Sequence, residues 1–187
     1  MKNTLLFLLS ACAATVATAQ TPTVSTPAAT RFYVQPSLVL AIPGSDFDTA
    51  MGLGAAVGVS FKSRHSVELE YVQFETEPDA GYAPFDIDFT HILVTYKYRI
   101  PFTPKFSSYV GGSIGRVSQK ISASQGFYII GDDTDDSISV GLVGGVQYQF
   151  EDNIVFDGGL KVLGQDDTRF TTSGSVLLVQ ASVKFQF

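Results

Sequence analysis

Between residues 31 and 187, apolar side chains return at every second position in eight successive runs. That period of two constrains the chain more than any other feature, because successive residues of a β-strand face opposite sides. In residues 52–62 one face carries Leu53, Ala55, Val57, Val59 and Phe61. The other carries Gly52, Gly54, Ala56, Gly58, Ser60 and Lys62. Residues 138–150 repeat the pattern, with Ile138, Val140, Leu142, Val146, Tyr148 and Phe150 opposite Ser139, Gly141, Val143, Gly145, Gln147 and Gln149. Residues 177–187 show it again. The runs fall at about 31–41, 51–62, 66–75, 87–100, 106–118, 137–150, 154–163 and 175–187.

Most runs reach the roughly 9–11 residues that a strand needs to cross a bilayer. Run 154–163 is the shortest. Pro36 interrupts the first, and because proline removes a ladder donor the expectation there is a bulge. The connections alternate in length. Residues 63–65, 101–105 and 151–153 are short; residues 42–50, 76–86, 119–136 and 164–174 are longer. Short turns at one end and long loops at the other are the pattern of a bacterial transmembrane barrel. The predicted fold is all-β: an eight-stranded antiparallel up-and-down transmembrane β-barrel.

Composition sets the other limits. The chain has 187 residues, 45% hydrophobic and 16% charged, with a mean hydropathy of +0.20. After residue 20 no stretch approaches the roughly 18 uninterrupted apolar residues of a membrane helix. A helical membrane protein, a coiled coil and a disordered chain are excluded. The net charge of −6 argues against nucleic acid as a partner, since that needs a basic patch.

Which face meets the outside decides between two barrels. A soluble eight-stranded barrel of the lipocalin kind points its apolar face inward. Here the opposite face is rich in Gly, Ala and Ser, with scattered charges. Glycine on a water-facing strand weakens it for no gain, whereas inside a narrow barrel it leaves room for longer neighbours. With every short turn placed in the periplasm, Phe32, Phe61, Tyr96, Tyr98, Phe106, Tyr148, Phe150, Phe156, Phe185 and Phe187 crowd at one end. All have the parity of the apolar face. A belt of aromatics at one level is an interfacial girdle, which a soluble core does not explain. The apolar face is therefore expected to meet outer-membrane lipid.

Residues 1–20 read as an address. Lys2 supplies the positive start, residues 5–9 the apolar core, and Ala17-Thr18-Ala19 the cleavage site. Cleavage is expected after Ala19, giving a signal peptide at 1–19, a disordered lead-in at 20–30 and the barrel at 31–187. The competing reading is acylation at Cys12, since Leu9-Ser10-Ala11-Cys12 resembles a lipoprotein processing site. Under the first reading the only cysteine is lost and the mature chain has no thiol chemistry.

The sequence resembles the small outer-membrane β-barrels of the OmpA/OmpX type over residues 31–187. In that group the last strand ends in Phe behind alternating apolar residues, and the barrel-assembly machinery reads this ending. Val179, Ala181, Val183, Phe185 and Phe187 match it. Residues 109–115, Tyr-Val-Gly-Gly-Ser-Ile-Gly, resemble the group's Gly-rich fifth strand. One departure is the absence of Trp, so the girdle uses Phe and Tyr alone.

The charges sort by position. Asp46, Asp48, Glu75, Glu77, Asp79, Asp86, Asp88, Asp132, Asp133, Asp135, Asp136, Asp166 and Asp167 lie in the long connections or beside them, accompanied only by Lys120 and Arg169. Such a surface repels anions and suits divalent or basic partners; the extracellular partner itself is not legible. Asp132, Asp133, Asp135 and Asp136 form a weak Ca²⁺ candidate, but they do not follow the EF-hand spacing, so no metal and no cofactor is predicted. By parity Lys62, Glu68, Glu70, Lys97, Arg99, Asp157, Lys161 and Lys184 point into the lumen. They are expected to form a salt-bridge network, with Gln147, Gln149, Gln180 and Gln186 taking leftover hydrogen bonds.

Catalysis is not expected. His65 falls in a short turn. His91 has inward parity but has no Ser or acid on its own face at reachable spacing, and a nucleophile needs a base within hydrogen-bond reach. The leading reading is a non-enzymatic outer-membrane barrel with a structural or surface-interaction role and a plugged lumen. A narrow passive pore and a lipid A-modifying enzyme are the alternatives.

Overall fold

The computed structural model describes residues 30–44, 48–76, 85–123, 134–165 and 174–187. The leader, Cys12 and most of the lead-in lie outside them, as do the middles of the four longer connections. Eight strands follow one another: β1 (Arg31–Ile42), β2 (Ala50–Phe61), β3 (His65–Thr76), β4 (Phe85–Pro101), β5 (Phe106–Ala123), β6 (Thr134–Glu151), β7 (Ile154–Gln165) and β8 (Ser175–Gln186). Each pairs antiparallel with the next, and β8 returns to β1, so the sheet closes into a barrel.

The register is staggered. One ladder runs from Phe32 to Val59, Val67, Tyr96, Gly112, Leu142, Val162 and Leu177, and arrives back on β1 at Ile42, ten residues from its start. Closure with such a stagger tilts the strands, and with eight of them it leaves a bore that side chains can fill.

The alternation places the apolar face outward. Leu53 is 66% exposed and Leu142 70%, and large apolar residues are exposed on all eight strands. Charged residues are buried inside instead, among them Glu68, Glu70, Lys97, Asp157, Lys161 and Lys184. A soluble barrel inverts this arrangement; only a lipid exterior stabilises it.

Two expectations are corrected. Pro36 makes no bulge. β1 keeps one register with β2 through Pro36, and its ladder with β8 lapses at Gln35 and Pro36 but resumes in the same register at Ser37. The missing donor is absorbed as two unpaired positions, without an extra residue. The register shift that does occur lies in β6, between Gln149 and Glu151. Lys62 does not point into the lumen either. β2 ends at Phe61, and Lys62 and Ser63 turn with φ of 52° and 56°. Lys62 is therefore an exposed turn residue, because strand parity stops applying where the chain reverses.

β4, β5 and β6 run to 17, 18 and 18 residues. Their extra length lies at the long-connection end, where residues 134–138 of β6 pair with β5 alone.

Candidate functional site: the lumen and the outer wall

The lumen has two zones. Towards the short turns it is polar. Lys97 on β4 meets Glu68 on β3, Nζ to Oε1 at 2.6 Å, and both are almost fully buried. Tyr33 on β1 donates its hydroxyl to the other Glu68 oxygen at 2.9 Å. Lys161 on β7 reaches across the bore to Glu70, whose second oxygen accepts from Gln180 Nε2 at 2.5 Å. Asp157 accepts from Tyr109 at 2.9 Å and from Gln147 at 2.6 Å. Lys97 also lies over the Tyr109 ring and Lys184 over the Tyr33 ring, at 4.8 and 4.2 Å. Each buried carboxylate thus has at least two donors, the condition under which a buried charge is tolerated.

Of the eight residues assigned inward by parity, Glu68, Lys97, Glu70 and Lys161 form two ion pairs, and Asp157 is held by neutral donors. Arg99 and Lys184 enter no ion pair among the described residues. Arg99 Nε donates to Ser107 Oγ at 2.8 Å. Gln149 turns to the Glu151 carbonyl, and Gln186 accepts from Arg31 at 3.5 Å.

Glycine makes the space. A Cβ at Gly58 would meet the Tyr33 ring, and one at Gly145 or Gly159 would meet the Tyr109 hydroxyl. The two tyrosines therefore cross the bore only because these facing positions carry no side chain.

The second zone was not legible beforehand. Towards the long connections the bore is apolar, packed with Val39, Val72, Phe74, Ile87, Phe89, Leu93, Val117, Leu163 and Leu178. Phe74 stacks on Phe89 at 5.1 Å and on His91 at 5.6 Å. His91 is wholly buried there, and among the described residues neither ring nitrogen has a hydrogen-bond partner. The signal was present in β3 and β4, where Val72 and Phe74, then Ile87, Phe89 and Leu93, occupy the inward parity.

The girdle residues sit on the outer wall by the short turns, from Phe187 at 77% exposed to the half-buried Phe61 and Tyr98. Phe106, Tyr148 and Phe156 are neighbours across three strands. Two members were missed. Phe102 stacks on Phe106 at 6.1 Å, and His65 stacks on Phe61 at 5.5 Å while its Nδ1 lies 2.7 Å from the Tyr96 hydroxyl. Of the proposed terminal signal, Val179, Ala181, Val183 and Phe185 have the outward parity of β8, and Phe187 donates its backbone N–H to Phe32 at 2.9 Å.

On the opposite rim the wall turns polar. Gln73, Thr90, Ser118 and Asp136 form one outward row across β3–β6, one pleat beyond Tyr71, Ile92, Arg116 and Ile138. Arg116 bridges to Asp136, which also accepts from Ser118 at 2.5 Å. These hydrogen bonds, Arg116's first, hold the Asp136 carboxyl below the usual carboxylate range. Asp132 and Asp133 of the calcium candidate lie outside the described residues, as does the side chain of Asp135. No metal-ligating cluster occurs among the described residues.

A closed eight-stranded barrel with an apolar exterior and charged side chains buried in its bore defines an outer-membrane barrel protein. The family described as outer membrane protein beta-barrel domain matches residues 4–185, and the chain belongs to it. No curated relative matches the chain. Among solved structures it is similar to Neisserial surface protein A, with TM-score 0.68, 14% identity, and coverage of 84% of this chain and 97% of that one. It is similar to OprG from Pseudomonas aeruginosa, with TM-score 0.56, 15% identity, and 86% and 97% coverage. A third is Ail of Yersinia pestis in complex with the heparin analogue sucrose octasulfate, with TM-score 0.53, 16% identity, and 86% and 100% coverage. At such identities the likeness is one of fold. Membership places the chain in the outer membrane.

Proposed function

We propose that the protein is a non-enzymatic outer-membrane barrel with a closed lumen, acting as a structural element and as a surface for extracellular contacts. The observation that carries this reading is the filling of the bore by two zones in series, one ion-paired and one apolar. A conduit for small polar solutes needs a continuous wet path, and packed Phe74, Phe89 and Leu93 deny it one. The surface role draws on β3–β6, whose outward polar rows stand clear of the apolar belt. Ail has been captured with a sulfated ligand. Here thirteen of the eighteen acids lie in or beside the long connections. A sulfated polyanion would be repelled there, so a basic or divalent-bridged partner fits better.

Single-channel recording on refolded protein tests the closed lumen. The expected result is no steady conductance; sustained nanosiemens-scale openings would overturn the reading in favour of a pore.

A further inference from the structure

Beyond the Lys97–Glu68 bridge, the lumen widens into a cavity of about 370 Å³ at the short-turn end. Arg31, Arg64, Lys97, Arg99 and Lys184 all reach its wall, and no Asp or Glu among the described residues does. Lys97 is matched by Glu68. Among the described residues the three arginines hydrogen-bond only to neutral groups: Arg31 to the Asp152 carbonyl at 3.1 Å, Arg64 to the Tyr98 hydroxyl at 3.3 Å, and Arg99 to the Ser107 hydroxyl. Lys184 lies over the Tyr33 ring and within the fields of Glu68 and Asp157, without an ion pair to either. Lys184 is 3% exposed. Three arginines without a carboxylate partner thus converge with Lys97 and Lys184 on one cavity, in a molecule whose net charge is −6.

Like charges drawn together repel. A cleft lined by one sign of charge between low-dielectric walls focuses its field and concentrates the opposite ion. We propose that this vestibule is a binding site for a phosphate group. A phosphomonoester carries about −1.5 to −2 charges at neutral pH and three strong acceptor oxygens, which matches four cations better than a single carboxylate does. The guanidinium forks of Arg31, Arg64 and Arg99 supply paired donors, and Lys184 supplies a point charge. Short turns face the periplasm in barrels of this kind, so the group arrives from that side, as a soluble phosphate compound or as the headgroup of an inner-leaflet lipid. The site does not depend on the lumen being closed above it, so conductance and phosphate binding fail separately.

The test uses the full barrel refolded in maltoside micelles at low salt, titrated calorimetrically with inorganic phosphate. Wild type is expected to bind saturably. Arg99→Gln and Arg64→Gln should each weaken binding about tenfold, the loss of one charge-assisted hydrogen bond. Arg116→Gln, on the outer wall, should leave it unchanged. Arg64 is an exposed turn residue, so its variant carries the test if Arg99→Gln fails to fold. No saturable binding, unchanged binding in both vestibule variants, or equal weakening by Arg116→Gln would overturn the assignment. Phosphatidic acid, whose headgroup is a phosphomonoester, doped into the micelles separates the sources: displacement of phosphate assigns the site to a headgroup, and no displacement assigns it to soluble phosphate.

Discussion

Glu70 and Lys161 face each other across the bore with nothing but protein around them, so each depends on the other for its charge to be tolerated. Glu70→Gln leaves Lys161 buried and unmatched, and should cost about 3–5 kcal/mol. Replacing both residues by Leu removes the mismatch and should cost less than either single change. Urea unfolding from lipid vesicles measures the difference; equal costs for the single and double changes would show that the pair is not coupled. A second residue-scale case is Gly159. A Cβ there falls on the Tyr109 hydroxyl, while Tyr109 Cζ stays 3.5 Å away. Gly159→Ala should therefore destabilise by about 1–3 kcal/mol, the usual cost of overpacking. Tyr109→Phe removes the offending oxygen, so the double variant should be less damaged than the sum of the singles. Strict additivity would mean that the ring moves aside freely and that its hydrogen bond to Asp157 does not fix it.

At the scale of the strands, parity is the property to test. Val57 on β2 is 55% exposed on the outer wall, and Gly58 beside it faces the Tyr33 ring. Val57→Arg puts a cation into hydrocarbon and should cost about 2–4 kcal/mol near the midplane; folding into bilayers as well as wild type would reverse the assignment of faces. The seam between β8 and β1 is the other test. Phe187 donates a backbone hydrogen bond to Phe32 and lays its ring on the lipid side. Deleting it should reduce heat-modifiable barrel in the outer membrane, and wild-type levels would count against an assembly role. The strands were legible because a lipid-facing surface imposes strict alternation on every one of them. Boundaries near the short turns were legible for the same reason. The far ends of β5 and β6 were not: residues 119–123 and 134–136 read as polar loop, yet backbone pairing of β5 with β4 and with β6 keeps them in strand. Parity named the inward charges but not their partners. Those follow from the stagger, which brings Lys161 of β7 to Glu70 of β3 and leaves Lys184 over a ring. A period of two cannot reveal that. The apolar zone was within reach of parity, since Phe74 shares the face of Glu68 and Glu70, and Phe89 and Leu93 that of Lys97 and Arg99; it was obscured because both faces of β3 and β4 carry apolar side chains there.

For the molecule as a whole, the proposed closure rests on two seals in series. The bases and acids of the lower bore hold each other in place. The upper bore is filled chiefly by apolar packing, with His91 buried against Phe74. Ionic closure responds to removal of its charges, while burial shields it from screening by salt; closure by packed Val, Leu and Phe does not depend on charge. Replacing Glu68, Lys97, Glu70 and Lys161 together by Ser removes both ion pairs of the lower seal with each acid lost alongside its base, and keeps Asp157 and Lys184 in place. The upper seal should still hold, so this variant is expected to remain electrically silent in planar bilayers. It should nevertheless unfold at lower urea than wild type, because the cross-bore contacts are gone. Adding Phe74→Ser and Phe89→Ser opens the second seal, and only then should steady conductance appear. Heat-modifiable migration on a gel establishes that each variant is a closed barrel before it is recorded. If the four-Ser variant alone conducts, the apolar zone is no seal, and the ion pairs would be the sole gate of a pore.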